Sequence, residues 1–119
     1  MNGRWLGAAV ALLASATIAL AGDPAGSYAV TGSNPGSAGS QYAGSVSVQK
    51  TGDTYLVIWN IGSQTFVGTG VARDNGFSVT YRSGGLTGIA VYSASGDNWD
   101  GTWAFADDHR IGTEAWTRK

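Results

Sequence analysis

The chain has 119 residues, a formal net charge of −1, 19 glycines, five tryptophans and no cysteine. The missing cysteine excludes disulfides, thiolate metal sites and a lipidated N-terminal thiol. The slight acidic excess argues against nucleic acid, whose phosphates need a basic face, and against an anionic membrane surface.

Only two prolines and a high aromatic content argue against disorder, so the length allows one domain with a modest core. The first segment reads as an export signal. Arg4 supplies a positive start, an apolar run follows from Trp5 to Ala21, and it ends in Ala19-Leu20-Ala21 ahead of Gly22-Asp23-Pro24. A small-x-small end is what signal peptidase reads, so residues 1–21 form the expected leader, with cleavage after Ala21. A retained anchor is the alternative, but the run sits at the lower limit for crossing a bilayer and is rich in alanine. Cleavage predicts an exported domain of residues 22–119, periplasmic or extracellular, with no transmembrane span.

From Gly26 onward no stretch has helical periodicity; apolar residues alternate with a period of two instead. Strands are expected at Ser27–Thr31, Gln41–Lys50, Tyr55–Ile61, Thr65–Arg73, Phe77–Arg82, Leu86–Ser93, Trp99–Ala106 and Ile111–Thr117. The links are "GSNPGSAGS", "TGDT", "GSQ", "DNG", "SGG", "SGDN" and "DDHR". Among them Asn75-Gly76 carries the strongest hairpin signal, because both residue types accept the positive φ of a type I′ turn. With short links and no crossover helix, the fold class is all-β: an eight-stranded antiparallel up-and-down barrel. Closure removes the two raw edges an open sheet would expose. A two-sheet sandwich is the alternative.

One face of four strands mixes large side chains with glycines: Tyr42 with Gly44, Phe66 with Gly68 and Gly70, Leu86 with Gly88, Trp99 and Trp103 with Gly101. A narrow barrel cannot hold a large side chain at every inward position, so large and small must alternate. On this reading Trp103 fills space left by Gly68 and Gly88. The opposite face carries Ser45, Ser47, Gln49, Ser78, Thr80 and Arg82, which suit water, and also Leu56, Ile58, Val67, Val71, Ile89 and Val91. These last six form an outward apolar patch, a candidate interface for a protein partner or for self-association.

Alternate links of a meander share an end. The rim with the long first link is the expected mouth, because longer loops are less constrained. The candidate ligand-lining residues there are Tyr42, Trp59, Phe66, Tyr92 and Trp103, suited to a small apolar ligand; a closed, filled core is the competing reading. The other rim gathers Asp53, Asp74, Asn75, Asp97 and Asn98, with Asp100 nearby. Tight turns need these residue types for backbone reasons and no calcium-loop spacing is present, so neither a metal nor another cofactor is expected.

Catalytic signatures are scarce. His109 lies in the "DDHR" turn, where a solvated role is expected, and there is no Gly-x-Ser-x-Gly elbow. Glu114 shares its face with Gly112 and Trp116; inside a barrel it could act as acid, base or cation ligand, but the surface reading is favoured.

The sequence "YAGSVSVQKTGDTYLVIWNIG…FVGTGVA…GLTGIAVY…WDGTW…GTEAWTR", spanning Gly26 to Arg118, resembles a family of small exported proteobacterial proteins. Some of these carry the label fibronectin-binding protein. The resemblance implies adhesion or matrix binding and transfers no binding residues. The expected architecture is also similar to avidin and lipocalin barrels in strand count and in Gly101-Thr102-Trp103. Those families place that element in their first strand, so biotin binding is not implied. The expected function is a non-enzymatic binding or interaction module, adhesion-related or taking a small apolar ligand. The alternatives are a barrel enzyme using Glu114 or His109 and a structural, oligomeric envelope protein.

Overall fold

Inward and outward side chains alternate along every segment, and strands are the backbone form that sorts such a pattern onto two faces. The computed structural model describes residues 22–36 and 39–119; the leader read at residues 1–21 lies outside the described residues. The strands are β1 (Gly26–Ser33), β2 (Gln41–Thr51), β3 (Thr54–Ile61), β4 (Gln64–Arg73), β5 (Gly76–Ser83), β6 (Leu86–Ser95), β7 (Asn98–Phe105) and β8 (Gly112–Arg118). Each pairs antiparallel with the next, and β8 returns to β1 from Tyr28↔Arg118 to Ser33↔Thr113. The barrel is therefore closed and up-and-down, not a sandwich. Among the described residues no helix is long and apolar enough to cross a membrane.

Strand ends differ slightly from the sequence reading: β1 runs on to Ser33 and β6 to Ser95. The β4–β5 hairpin is shifted by one residue. Arg73 pairs with Gly76, so Asp74 and Asn75 form the turn, and the positive φ of 55° falls on Asp74. Aspartate tolerates left-handed backbone for the same local reasons as asparagine. Gly76 is thereby freed to enter the strand.

The interior is almost wholly apolar and aromatic. Tyr28, Val30, Val46, Val57, Phe77, Val79, Trp99 and Trp116 are fully or almost fully buried, with Trp59, Tyr81, Tyr92 and Trp103 close behind. Rings lie across glycines of the adjoining strand: Tyr42 on Gly32, Tyr81 on Gly88, Tyr92 on Gly101, Trp103 on Gly112. A Cβ at any of these glycines would run into the ring; at Gly112 it would stand 2.6 Å from Trp103 Cζ2. The expectation that Trp103 occupies the hollows of Gly68 and Gly88 is corrected here. Val79 and Trp59 cover Gly68 and Tyr81 covers Gly88, because the ladder places β7 beside β8 on that side.

The two ends of the barrel differ. At the end shared by the 2–3, 4–5 and 6–7 links, residues 22–25 pass beneath the core, and Pro24 is fully buried. Tyr28 Oη donates to the Pro24 carbonyl at 2.6 Å. The Arg118 guanidinium donates to the carbonyls of Ala25 (2.9 Å) and Asp23 (3.2 Å) and to Tyr28 Oη (2.8 Å), and lies 4.7 Å from the Tyr28 ring centre. A planar, multiply donating group suits a site where several carbonyls and a ring converge. The opposite end is open.

Candidate binding cavity and its buried carboxylate

At the open end the barrel encloses a cavity of about 400 Å³. Tyr42, Trp59, Phe66, Tyr92 and Trp103, the five candidates from the sequence, all line it. Tyr81, Phe105, Ile61, Ala90 and Glu114 join them, and Asn34, Gln64 and Leu86 stand at the rim. The rings form a belt with edge-to-face contacts: Tyr42 to Trp103 (6.2 Å between centres), Trp103 to Phe105 (5.3 Å), Phe105 to Tyr81 (6.0 Å), and Tyr81 to both Phe66 (6.0 Å) and Trp59 (5.7 Å). Such contacts are the favoured geometry of aromatic pairs, so the belt is held in place by its own packing.

Glu114 overturns the favoured surface reading. Trp116 faces inward and is 1% exposed; alternation along β8 then forces Glu114 inward too, where it is 7% exposed. It is the only buried charged residue among the described residues. The barrel supplies a donor set for it. Oε1 accepts from Trp59 Nε1 (3.0 Å), Trp116 Nε1 (2.7 Å) and Tyr92 Oη (2.7 Å), while Oε2 accepts from Tyr42 Oη (2.7 Å). Indole N–H groups only donate, so this surrounding suits the ionised carboxylate, which only accepts.

The register explains how two tyrosines reach one carboxylate. Tyr42, Gly32, Glu114, Gly101 and Tyr92 occupy a continuous row across β2, β1, β8, β7 and β6. Glu114 therefore has a glycine on each side. Each glycine lets the tyrosine beyond it lean across to opposite oxygens of the carboxylate. Burial, and then the negative charge of Glu114 with its hydrogen bond, push the Tyr42 and Tyr92 hydroxyls well above the ordinary value; burial and the same charge push up Tyr81. All three stay neutral donors across the physiological range.

The remaining candidates lie elsewhere. His109 is exposed on the β7–β8 link, beside an Arg110–Asp108 ion pair of 3.0 Å, and does not enter the barrel. The six outward apolar residues all face away from the core, with Val71, Ile89 and Val91 about half exposed. Leu56, Ile58, Val67 and Val71 lie on β3 and β4, and Ile89 and Val91 on β6. The outward Ser78, Thr80 and Arg82 of β5 pair between them and divide the patch into two strips. Among the described residues no group of three or more His, Asp or Glu side chains is placed to hold a metal.

Fold and site together define a class: a closed eight-stranded up-and-down barrel, sealed at one end, with an aromatic cavity at the other and a carboxylate at the cavity's base. No protein-family model matches the chain, and no curated protein matches it.

Proposed function

We propose that this is an exported, non-enzymatic binding module that takes a small, largely apolar ligand into the open end of its barrel. The observation that carries the reading is the cavity itself. About 400 Å³ of space lined by rings and closed at its base by a single polar site falls within the range of small-molecule pockets. Export rests on the leader reading of residues 1–21; N-terminal sequencing of the protein recovered from a secreting host would find Gly22 first.

Binding is tested with a neutral dye, N-phenyl-1-naphthylamine, which fluoresces in apolar surroundings. The expected result is saturable, one-to-one uptake that is lost in Ala90→Phe, which fills the cavity from β6. Absence of uptake at millimolar protein, or uptake unchanged by Ala90→Phe, overturns the proposal.

Burial of Glu114 against the cavity favours a second reading, a barrel enzyme with Glu114 as its acid or base. Against it stands the donor set: three neutral donors fix Oε1, and neither a histidine nor a cysteine lines the cavity to relay a proton or attack. Protein contact or self-association through the outer apolar residues is served less well by two strips split by polar β5 than by one patch. Sedimentation would test it: loss of an assembled species in Ile58→Lys or Val91→Lys would favour that reading.

A further inference from the structure

The carboxylate of Glu114 is unevenly satisfied. Oε1 holds three donors, and Oε2 holds only Tyr42 Oη, which also approaches the Thr113 carbonyl at 3.4 Å. A carboxylate has about four lone-pair sites, two on each oxygen, so three donors crowd Oε1 while Oε2 keeps one site unfilled. The unused capacity is therefore on Oε2, beside Tyr42, and both residues line the cavity. The four donors are also all neutral. Among the described residues no Lys, Arg or His lines the cavity, and none forms an ion pair with Glu114. The carboxylate thus has four neutral donors and, among the described residues, no cation to pair with.

Burial acts in the same direction. Glu114 is 7% exposed, so its interaction with a bound group is screened less than at the protein surface. An anionic ligand such as a fatty acid would meet the carboxylate as repulsion. A neutral alcohol would satisfy Oε2 but leave the charge unmatched. A group with N–H donors and a positive charge would satisfy both.

We infer that the ligand is a small organic amine in its ammonium form, with an aromatic or branched apolar body. Its N–H group donates to Glu114 Oε2 and its body packs within the belt of Tyr42, Trp59, Phe66, Tyr81, Trp103 and Phe105. The inference rests on the binding reading above and specifies the chemistry of that same site. Tyr42 is the positioning residue: its hydroxyl holds Oε2 while leaving one side of that oxygen open.

The experiment uses one body with three head groups, 2-phenylethylamine, 2-phenylethanol and phenylacetate, titrated at pH 7 by calorimetry and by displacement of N-phenyl-1-naphthylamine. The amine is expected to bind at least tenfold more tightly than the alcohol, and the acid to show no displacement. In Glu114→Gln the amine and the alcohol should bind alike. Glutamine keeps an oxygen for the three donors of Oε1, and Tyr42 can turn its hydroxyl to Thr113, so the variant's near-ultraviolet circular dichroism should match the parent. Equal or tighter binding of the alcohol or the acid by the wild type overturns the ammonium assignment while dye uptake leaves the binding module standing. Loss of dye uptake in the wild type removes both. Should Glu114→Gln fail to fold, the head-group ranking in the wild type alone decides.

Discussion

The two ends of the barrel use the same materials, rings against glycines and small aliphatics, for opposite results. At the sealed end Trp116, Trp99, Tyr28 and Phe77 interlock, with Tyr28 5.2 Å and Phe77 6.2 Å from Trp116 between ring centres. There the strap of residues 22–25 and the Arg118 guanidinium close off the last space. At the open end Tyr42, Phe66 and Phe105 are only half-buried, and their inner edges bound a cavity instead of another ring. A single β-barrel can thus be core at one end and vessel at the other. Glu114 sits where the two regimes meet, with Trp116 below it and the cavity above.

The sharpest test of this contrast removes a ring from the sealed end. Trp116 contacts Tyr28, Trp59, Phe77 and Tyr92 and donates to Glu114. Trp116→Ala should cost about 3–5 kcal/mol, since the closed barrel wall cannot collapse into the hole. Urea unfolding checks this, and a loss under about 1 kcal/mol would mean that the sealed end is not tightly packed.

A smaller loss follows from crowding the row around Glu114. Gly101→Val should displace Tyr92, costing roughly 2–3 kcal/mol through overpacking and a broken buried hydrogen bond. Gly52→Val cannot serve as its control, because Gly52 has a φ of +83° that valine resists; Thr102→Val, one residue along and facing outward, can. Only the first variant should free the Tyr92 hydroxyl to titrate, read by tyrosinate absorbance.

The same tyrosines set an alkaline limit. Their folded pKa values lie above the ordinary value of 10.0, so they hold protons that the unfolded chain releases. Their contribution is full below about pH 10 and falls as pH rises beyond it, with Tyr92 alone giving a slope of about 1.4 kcal/mol per pH unit. Thermal melts between pH 8 and pH 11, roughly bracketing the unfolded value, should show stability flat at first and then declining. Tyrosinate at Tyr42, Tyr81 and Tyr92, followed by their ring resonances, should appear together with unfolding, not before it.

At the strap the effect is more local. Arg118→Ala should cost about 1–2 kcal/mol, because the guanidinium is half-buried and its carbonyl partners regain water. Hydrogen exchange should rise at Ala25 and Tyr28 and stay unchanged around Glu114. Arg118→Lys should not restore protection, as a point charge cannot reach Ala25, Asp23 and Tyr28 at once.

Alternation and turn chemistry made the barrel readable, and the ring-and-glycine face identified the interior, including five residues that line the cavity. Glu114 was within reach of the same rule: Gly112 and Trp116 flank it with the spacing that marks the inner face on every other strand. Charge was what misled, since a carboxylate is expected outside unless a partner is visible. Three of its partners, Tyr42, Trp59 and Tyr92, lie 22 or more residues away in sequence, so only closure and register reveal them; Trp116 is its neighbour two residues along β8. Register likewise decides which ring covers which glycine, and alternation within a strand says nothing about the neighbour's offset. The strap was hidden for a different reason: Gly22 to Ala25 have no periodicity, and their role appears only through Arg118 at the other end of the chain.

The smallest stability effect is expected where the barrel is open. Phe66 pairs across the ladder with Trp59 and touches Tyr81, but one side of its ring faces the cavity mouth. Removing it creates no sealed hole, because the new space joins one that solvent already reaches. Phe66→Ala should therefore cost less than about 1 kcal/mol, well below the range for a buried phenylalanine. Its effect should appear in binding instead: a wider mouth should release N-phenyl-1-naphthylamine faster in stopped-flow displacement, with stability almost unchanged. A stability loss as large as that of Trp116→Ala would mean that Phe66 belongs to a continuous core, and the division of the barrel into a packed end and a receiving end would fail.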